Sequence, residues 1–376
     1  MINQNYINNQ WCDAASKKRF DVINPFTEEV IETVPRSAAE DVQKAVEASR
    51  EAWKEWRFIA GGDMRDMLRE VAVKSRKHSE ELAEIMTAEM RKPLIENSDD
   101  VECIASCFEY YSELGRDQIG RVVAPTQDKQ MSIVVYEPYG VVGCIVPWNY
   151  PLLLAAWKIA PAIAVGNTCV VKPSELSPLS ILKWMETCFD HFPPGVVNVL
   201  TGYGQETGEP IVTSKGTNVI AFTGSVETGT RIATLAAEQL KKTHFELGGN
   251  DALIVCSDVD VEVAARGAFW AATLNCGQVC TSAERIYVEK PVAKDFIDAV
   301  VSQAEEVELG DPMGSTTDIG PMVSSEQRDK IESKIANAKD QGAKLMTGGN
   351  RPTQFAKGYF LEPTVLTNMD LSLIHI

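Results

Sequence analysis

The chain has 376 residues, of which 44% are hydrophobic, so it holds enough apolar material for more than one core and two domains are expected. Its 53 acidic and 36 basic residues give a net charge of -17, which makes nucleic acid and membrane surfaces poor partners by charge repulsion. Nine cysteines without a secretion signal indicate reduced thiols, and a cytoplasmic location is expected.

The N-terminal part of the chain predicts structural helices. Ser37 and Glu40 have the spacing of a capping box, and apolar residues then recur at helical spacing as far as Trp56. A second helical run is predicted over 64–90, and Lys92-Pro93 ends it. We expect these helices to support the fold and not the chemistry.

Short apolar strands alternate with helices in the middle of the chain. The predicted strands lie at 132–135, 144–146, 169–171, 196–200 and 219–221, and the predicted helices at 153–164 and 179–189. Such alternation implies a parallel sheet with crossover helices, the architecture that binds dinucleotides at the carboxyl ends of its strands. The expected fold class is therefore α/β, with a doubly wound, Rossmann-like domain.

A second α/β unit is predicted to begin after Gly249. It consists of a buried strand at 252–256, a helix at about 261–274, the loop that carries Cys280, a strand at 286–288, and helices at 292–307 and 326–341. Cys256, Cys276 and Cys280 could be imagined as metal ligands. No CxxC pair accompanies them and the chain has four histidines, so no metal site is predicted.

Five short motifs stand in order along the chain. They are Pro147-Trp148-Asn149-Tyr150-Pro151, Lys172-Pro173-Ser174-Glu175, Phe222-Thr223-Gly224-Ser225, Phe245-Glu246-Leu247-Gly248-Gly249 and Asn275-Cys276-Gly277-Gln278-Val279-Cys280. Together they resemble the NAD(P)-dependent aldehyde dehydrogenase superfamily, and the resemblance covers nearly the whole chain. It implies oxidation of an aldehyde to its carboxylic acid, with a dinucleotide as the electron acceptor.

The resemblance assigns the reacting groups. Because hydride must leave a tetrahedral carbon, a nucleophile has to add first, and Cys280 takes this role. Asn149, with the backbone N–H of Cys280, stabilises the oxyanion, and Glu246 activates water against the thioester. Lys158 is assigned to a proton relay, with a lysine that snorkels to the surface as the alternative. Without the resemblance, an inert buried thiol, a turn asparagine and a solvated carboxylate are the alternatives.

The implied cofactor residues follow the predicted strands. After strand 219–221, a glycine turn and a helix beginning near Thr230 make a cradle for the pyrophosphate. Lys172 and Glu175 bind the adenosine ribose, unless they are a surface pair, and the Glu175 carboxylate disfavours a 2′-phosphate, so NAD is predicted over NADP. The full set is Val146, Pro147, Trp148, Lys172, Ser174, Glu175, Phe222, Thr223, Gly224, Ser225, Leu247 and Gly248.

The substrate is a small-molecule aldehyde whose class stays open. Tyr150 and Trp157 match positions that form an aromatic cage for quaternary ammonium in betaine aldehyde dehydrogenases. Leu274 stands where those enzymes place a tryptophan, which favours less charged aldehydes. Two other functions compete: a CoA-acylating relative, against which Glu246 argues, and a non-catalytic nucleotide-binding protein.

The resemblance also divides the chain. Residues 1–117 and 141–246 form the NAD-binding domain, 118–140 a β bridging or oligomerisation segment, and 247–370 a C-terminally truncated catalytic domain. Residues 371–376 equal the translation of a transposon-adapter end, with a natural terminus as the alternative. We expect a homodimer or homotetramer for the full-length parent, and an unstable, nearly inactive protein for the chain as written.

Overall fold

The computed structural model describes residues 3–115, 117 and 120–369, so the predicted adapter tail at 371–376 lies outside the described residues. The chain forms two compact units. The first unit consists of Met1–Val22, Glu32–Ala83 and Ser98–Glu246, and the second unit of Ile23–Ile31, Glu84–Asn97 and Leu247–Ile376. Two segments that were placed in the first domain, 23–31 and 84–97, thus group with the second unit. None of the described helices combines the length and apolar content that a bilayer crossing requires.

The helices and strands of the described residues follow the predicted alternation. The strands are β1 (Asn5–Ile7), β2 (Gln10–Cys12), β3 (Arg19–Ile23), β4 (Val30–Pro35), β5 (Arg121–Val123), β6 (Ser132–Val134), β7 (Val141–Ile145), β8 (Thr168–Lys172), β9 (Val197–Val199), β10 (Val219–Gly224), β11 (Lys242–Leu247), β12 (Ala252–Val255), β13 (Arg285–Val288), β14 (Lys344–Thr347) and β15 (Val365–Thr367). The helices are α1 (Ala39–Trp56), α2 (Gly61–Lys77), α3 (Ser79–Met90), α4 (Leu94–Leu114), α5 (Pro151–Ala164), α6 (Leu179–Cys188), α7 (Glu209–Thr213), α8 (Val226–Ala237), α9 (Val261–Thr273), α10 (Lys290–Glu306) and α11 (Ser325–Asp340).

The first unit is built on a seven-stranded sheet with the strand order β11-β10-β7-β8-β9-β1-β2. Its centre is parallel, since β7 pairs in parallel with both β8 and β10, and β8 pairs in parallel with β9. Strands β1 and β2 extend one side as antiparallel neighbours. The chain therefore leaves β7 in one direction for β8 and β9 and returns to its other side for β10. The predicted α/β class with a doubly wound parallel sheet is confirmed.

The central strands are buried on both faces. Every residue of β7 and β8 is buried, as expected for parallel strands that helices cover on each side. Gly143 in β7 has no space for a side chain, because an added Cβ would lie 2.5 Å from Cγ2 of Ile211. Glycine at this position thus allows α7 to approach the sheet.

Helix α1 begins differently from its prediction. Ala38 and not Ser37 is the N-cap, and the carboxylate of Asp41 accepts the backbone N–H of Ala38 at 3.0 Å and that of Ala15 at 2.8 Å. The Ser37 hydroxyl is instead hydrogen-bonded to the Asn5 amide at 2.8 Å. The capping box of Ser37 and Glu40 was therefore wrong, because a residue on β1 binds the hydroxyl.

The predicted helix over 64–90 is two helices. Helix α2 ends at Lys77 and α3 begins at Ser79, with His78 outside helical geometry between them (φ −104°, ψ 20°). The apolar spacing continues across the break, so periodicity alone did not reveal it. The acidic first turn of α3 marks its start: Glu81 pairs with Lys183 of α6 at 2.7 Å.

Strands β5 and β6 form an antiparallel pair within the segment 118–140 that was predicted to bridge subunits. Several of their apolar side chains are exposed, including Val122 and Ile133, and Tyr136 follows the pair with its side chain also exposed. The role of this segment in oligomerisation stays a prediction.

The second unit contains a parallel pair of strands, β12 and β13, on which α9 and α10 pack. Leu253 and Val255 face the helices, and Phe296 and Val300 of α10 lie in the same cluster. A strand is present within 252–256 as predicted, but its predicted burial was wrong, since Ile254 is 73% exposed. Side chains alternate between the faces of a strand, and the helices cover one face of this pair.

We predict that Asp41→Ala lowers the free energy of unfolding by about 1–3 kcal/mol, because two backbone N–H groups lose their acceptor at a buried position. Glu40→Ala, one residue earlier, removes an exposed pair with Lys44 and should cost at most about 0.5 kcal/mol. Urea unfolding of both variants followed by circular dichroism measures the difference. An equal loss of unfolding free energy in the two variants would favour the predicted capping role of Glu40 over that of Asp41.

Candidate active site

The carboxyl ends of three neighbouring strands meet at the point where the strand order reverses. Strand β7 is followed by Val146, Pro147 and Trp148, β8 ends at Lys172, and β10 ends at Gly224. In open parallel sheets this switch point is where ligands bind, since the connections leave in opposite directions and open a crevice. The cofactor residues that were predicted after β7, β8 and β10 therefore share one edge of the sheet, whereas Leu247 and Gly248, predicted in the same set, belong to the second unit.

Lys172 is a buried cation at this edge. Its side chain is 4% exposed, and its Nζ donates to Oε2 of Glu175 at 3.0 Å. The backbone N–H of Val146 donates to the carbonyl of Lys172 at 3.0 Å, which ties the end of β7 to the end of β8. A charge buried to this degree needs such a partner. Because the Glu175 side chain is 38% exposed, its carboxylate can also accept hydroxyl groups of a ligand.

Helix α8 begins four residues earlier than predicted. Its first residue is Val226 and not Thr230, because the Ser225 hydroxyl caps the helix by accepting the backbone N–H of Thr228 at 3.2 Å. Ser225 alone thus joins β10 to α8, and Gly229 lies inside the helix and not in a turn. The first N–H groups of α8 stand at the carboxyl end of β10, where the helix dipole favours an anion.

These features fit a dinucleotide. Backbone donors at the start of α8 suit a pyrophosphate, and the Lys172–Glu175 pair supplies a cation and an acceptor for ribose hydroxyls. The residues that could hold the cofactor are therefore those after β7, at the end of β8 and at the β10–α8 junction.

A cavity of about 520 Å³ in the first unit brings together residues that are far apart in sequence. Lys158 of α5, Thr223 of β10 and Glu246 of β11 all line it, as does Trp157. The carboxylate predicted as general base and the lysine predicted as relay are thus placed in one cavity. Its lining combines aromatic rings and thiols with charged and hydroxyl groups, so it offers a small molecule both apolar surface and convergent polar groups.

Sequence reasoning missed the other wall of this cavity. It consists of Cys103, Ser106, Cys107, Tyr110 and Tyr111 of α4, together with His244 of β11. The α4 residues are spaced as on one face of a helix, and His244 and Glu246, two positions apart, lie on the same face of β11. Both patterns can be read in the sequence. Burial raises the pKa of the Cys107 thiol to about 12, which keeps it protonated at neutral pH.

Lys158 is held inside the protein. The residue is 7% exposed, and its Nζ donates to Oγ1 of Thr223 at 2.5 Å and to the carbonyl of Leu154 at 3.4 Å. The alternative of a lysine that snorkels to the surface is wrong. Acceptor oxygens from α5 and β10 bind the buried ammonium group.

Asn149 lies on the loop between β7 and α5. Pro151 occupies the first position of α5, where its missing N–H costs no hydrogen bond, and Tyr150 is the N-cap residue. Asn149 is half-buried just before this cap. The Pro147–Pro151 motif thus places an amide side chain between the carboxyl end of a central strand and the start of a helix.

Cys280 lies in the second unit, after a left-handed turn at the end of α9. Asn275 (φ 49°, ψ 40°) and Cys276 (φ 58°, ψ 29°) are both left-handed, and Gly277 follows with φ 74°. A left-handed conformation costs about 1–2 kcal/mol for a residue other than glycine, although asparagine tolerates it better. Strain of this kind persists where surrounding contacts determine the backbone.

The contacts of this turn involve Gln278 and Cys276. Gln278 donates through Nε2 to the carbonyl of Asn275 and accepts the N–H of Val323 at Oε1, both at 3.0 Å. The Cys276 thiol donates to the carbonyl of Gly320 at 3.1 Å. Burial, and next the nearby Glu96 carboxylate, raise the pKa of the Cys276 thiol well above its usual range. Cys276 is therefore a structural thiol.

The two glycines that follow Glu246 differ in role. A Cβ at Gly249 would lie 3.2 Å from the carbonyl oxygen of Cys280, so glycine permits a close approach to the loop that carries Cys280. A Cβ at Gly248 would meet nothing within 4 Å. Of the two, Gly249 is the one at which a side chain would be tightly packed.

The remaining cysteines are free thiols. Cys144 and Cys169 are buried, whereas Cys256 is exposed immediately after β12. In residues 3–115, 117 and 120–369, no group of three or more histidine, cysteine, aspartate or glutamate side chains is arranged to hold a metal ion.

The sequence matches the profile of the aldehyde dehydrogenase family over residues 11–373. It is 40% identical to betaine aldehyde dehydrogenase 1 of Oryza sativa subsp. japonica, over 98% of this chain and 75% of that protein. It is 39% identical to a chloroplastic aminoaldehyde dehydrogenase of Arabidopsis thaliana, over 98% of this chain and 76% of that protein. A crystal structure of betaine aldehyde dehydrogenase from Staphylococcus aureus in complex with NAD+ superposes with a TM-score of 0.98 at 36% identity, covering 100% of this chain and 76% of that one.

We predict that Thr223→Val lowers the free energy of unfolding by about 1–3 kcal/mol, because the buried ammonium of Lys158 loses its 2.5 Å hydrogen bond to the threonine hydroxyl. Thr223→Ser keeps the hydroxyl and should stay close to the unchanged protein. Urea unfolding without cofactor separates the two variants. A valine variant as stable as the serine variant would mean that the bond contributes nothing.

Proposed function

Because the chain belongs to the aldehyde dehydrogenase family, we propose that it oxidises an aldehyde to its carboxylic acid through a thioester on Cys280, with NAD as the electron acceptor. Family membership makes it an aldehyde oxidoreductase. The observation that carries the proposed mechanism is the cavity that Glu246, Lys158 and Thr223 line beside the carboxyl ends of the central strands. Its carboxylate suits a base that acts on water.

The first proposed step is addition of the Cys280 thiolate to the carbonyl carbon of the aldehyde. A carbon–sulfur bond forms and the carbonyl electron pair moves onto oxygen, which becomes negatively charged. The side-chain amide of Asn149 and the backbone N–H of Cys280 donate hydrogen bonds to that oxygen. Donors fixed before the reaction stabilise the developing charge more than water would, since they need no reorganisation.

The second step is oxidation of the thiohemiacetal to a thioester on Cys280. NAD, when bound, supplies the two-electron acceptor for this step. Lys172 and Glu175 hold the adenosine ribose and the start of α8 holds the pyrophosphate, as the charges and donors at these places favour. The Glu175 carboxylate repels a 2′-phosphate, which supports NAD over NADP.

The third step releases the acid. Glu246 removes a proton from water, whose oxygen attacks the thioester carbon, and the carbon–sulfur bond breaks to return the Cys280 thiolate. A base in this cavity favours transfer to water over transfer to CoA. Lys158 is hydrogen-bonded to Thr223 in the same cavity, and its role as a proton relay stays a prediction.

For the substrate we propose an aldehyde that carries a positively charged amino or trimethylammonium group. Trp157, Tyr110 and Tyr111 put three aromatic rings on the cavity that Glu246 lines, and aromatic faces attract such cations. Named relatives include aminoaldehyde and betaine aldehyde dehydrogenases, which supports the same class. In the sequence, Leu274 favoured less charged aldehydes. In the structure it lines a groove in the second unit and not the cavity that Glu246 lines.

Location and assembly stay predictions. The cytoplasm was expected from the sequence, while named relatives include chloroplastic and peroxisomal enzymes. A homodimer or homotetramer is expected by family resemblance.

We predict that Cys280→Ala in the full-length enzyme abolishes NADH formation, whereas Glu246→Gln separates the two halves of the reaction. The glutamine variant should still release a burst of about one NADH per site and then turn over about 10²–10⁴-fold more slowly, because loss of the base impairs hydrolysis alone. Rapid-mixing absorbance at the NADH band measures both phases. Undiminished steady turnover of the Cys280→Ala variant would refute the thioester mechanism.

The substrate class can be tested at Trp157. Trp157→Leu should lower kcat/KM for betaine aldehyde by about 2- to 30-fold and leave short aliphatic aldehydes nearly unchanged, since a cation–π contact contributes about 0.5–2 kcal/mol. Trp157→Phe keeps a ring and serves as the matched control. Equal losses for charged and uncharged aldehydes would contradict the proposed class.

A further inference from the structure

The left-handed turn before Cys280 is held by a side chain from a distant part of the sequence. The backbone N–H of Asn275 donates to Oε2 of Glu96 at 3.0 Å, across 179 positions of the chain. Asn275 is fully buried. Gln278 binds the carbonyl of Asn275 from within the turn, whereas Glu96 binds its N–H from outside, at the residue where the backbone becomes left-handed.

Glu96 is itself firmly placed in the second unit. It lies in the first turn of α4, where the helix dipole stabilises a carboxylate. The start of α4 is bound by the Leu94 N–H, which donates to the carbonyl of Pro312 at 3.0 Å. Gly320 packs so closely on this segment that an added Cβ would lie 2.3 Å from the carbonyl oxygen of Arg91. The same Gly320 accepts the Cys276 thiol.

Helix stability does not explain the Glu96–Asn275 contact. Asn275 follows the C-terminal end of α9, where the helix dipole is negative and disfavours a carboxylate. The N–H of a left-handed residue after a helix ordinarily bonds back to a carbonyl of the last turn. Here it bonds to Glu96 instead, which directs the chain away from the helix and toward Cys280.

We propose that Glu96 is a positioning residue for Cys280, which acts through the backbone N–H of Asn275 to hold the left-handed turn that aims the thiol. This rests on the proposed function in that Cys280 is the nucleophile. Two left-handed residues other than glycine relax when a contact that determines them is lost. A displacement of about 1 Å at a reacting atom can cost about 10²-fold in rate.

We expect the reactivity of Cys280 to depend on a hydrogen-bond acceptor at the distance that the Glu96 side chain spans, and much less on the negative charge of Glu96. Glu96→Ala removes the acceptor and Glu96→Asp shortens it, and both should slow alkylation of Cys280 by iodoacetamide and lower kcat by about 10- to 100-fold. The KM for NAD should stay unchanged. Glu96→Gln keeps an acceptor oxygen at the same reach and should remain within about threefold of the unchanged enzyme in both rates.

The alkylation rate of Cys280 is measured by peptide mass spectrometry of the full-length enzyme, quenched at intervals after iodoacetamide is added. Steady-state kinetics of the same variants give kcat and the KM for NAD. Exposed Cys256 in the same unit is the internal reference for alkylation. Glu305→Ala, which removes an exposed carboxylate on α10, is the control for loss of charge. Circular dichroism checks folding, and the Asp and Gln variants decide the matter if the Ala variant does not fold.

Two results would overturn the proposal. The first is that Glu96→Ala and Glu96→Asp have the same alkylation rate and the same kcat as the unchanged enzyme. The other is a Gln variant that falls as far as the Asp variant, which would make charge and not the hydrogen bond responsible. Alkylation does not depend on turnover. If Cys280→Ala retained NADH formation, the proposed function would fail, and the alkylation rates would still report how Glu96 positions the thiol.

Discussion

The site depends first on the reversal of strand order at β7. Because β8 and β10 pair on opposite sides of β7 in the same direction, three carboxyl ends meet at one edge and the connections after them diverge. This edge receives the loop with Asn149, the Lys172–Glu175 pair and the start of α8. The parallel hydrogen bonds of the central strands thus determine which side chains become neighbours.

Buried charge at this edge is satisfied inside the protein. Lys158 and Lys172 are both almost fully buried. The ammonium group of Lys158 donates to the hydroxyl of Thr223, and that of Lys172 donates to the carboxylate of Glu175. A desolvated ammonium without such a partner would cost several kcal/mol, so these pairs restrict the side chains to one arrangement. These two side chains are consequently held in place without a ligand.

Much of this organisation was predictable from the sequence. The alternation of strands and helices gave the α/β class, since apolar periodicity depends on residues close in sequence. The prediction for Ser37 and the surface alternative for Lys158 were wrong because the polar groups that these side chains bind, on Asn5 and Thr223, are distant in sequence. The start of α8 was placed too late although its cap, Ser225 with the N–H of Thr228, is local. The wall of the cavity from α4 was missed for a related reason: its spacing marks a helix face, but not what that face covers.

Residue identity and spacing by themselves determined the family, its reaction and the side chains proposed to carry it, because the thiol, the carboxylate and the amide stand in motifs that can be recognised without a fold. Only the tertiary structure decided which polar groups Ser37, Lys158 and Asn275 bind. Asn5 with Ser37, Thr223 with Lys158 and Glu96 with Asn275 are pairs that lie 32 to 179 positions apart. Such pairs form when packing excludes water from both groups, and this condition depends on the whole fold.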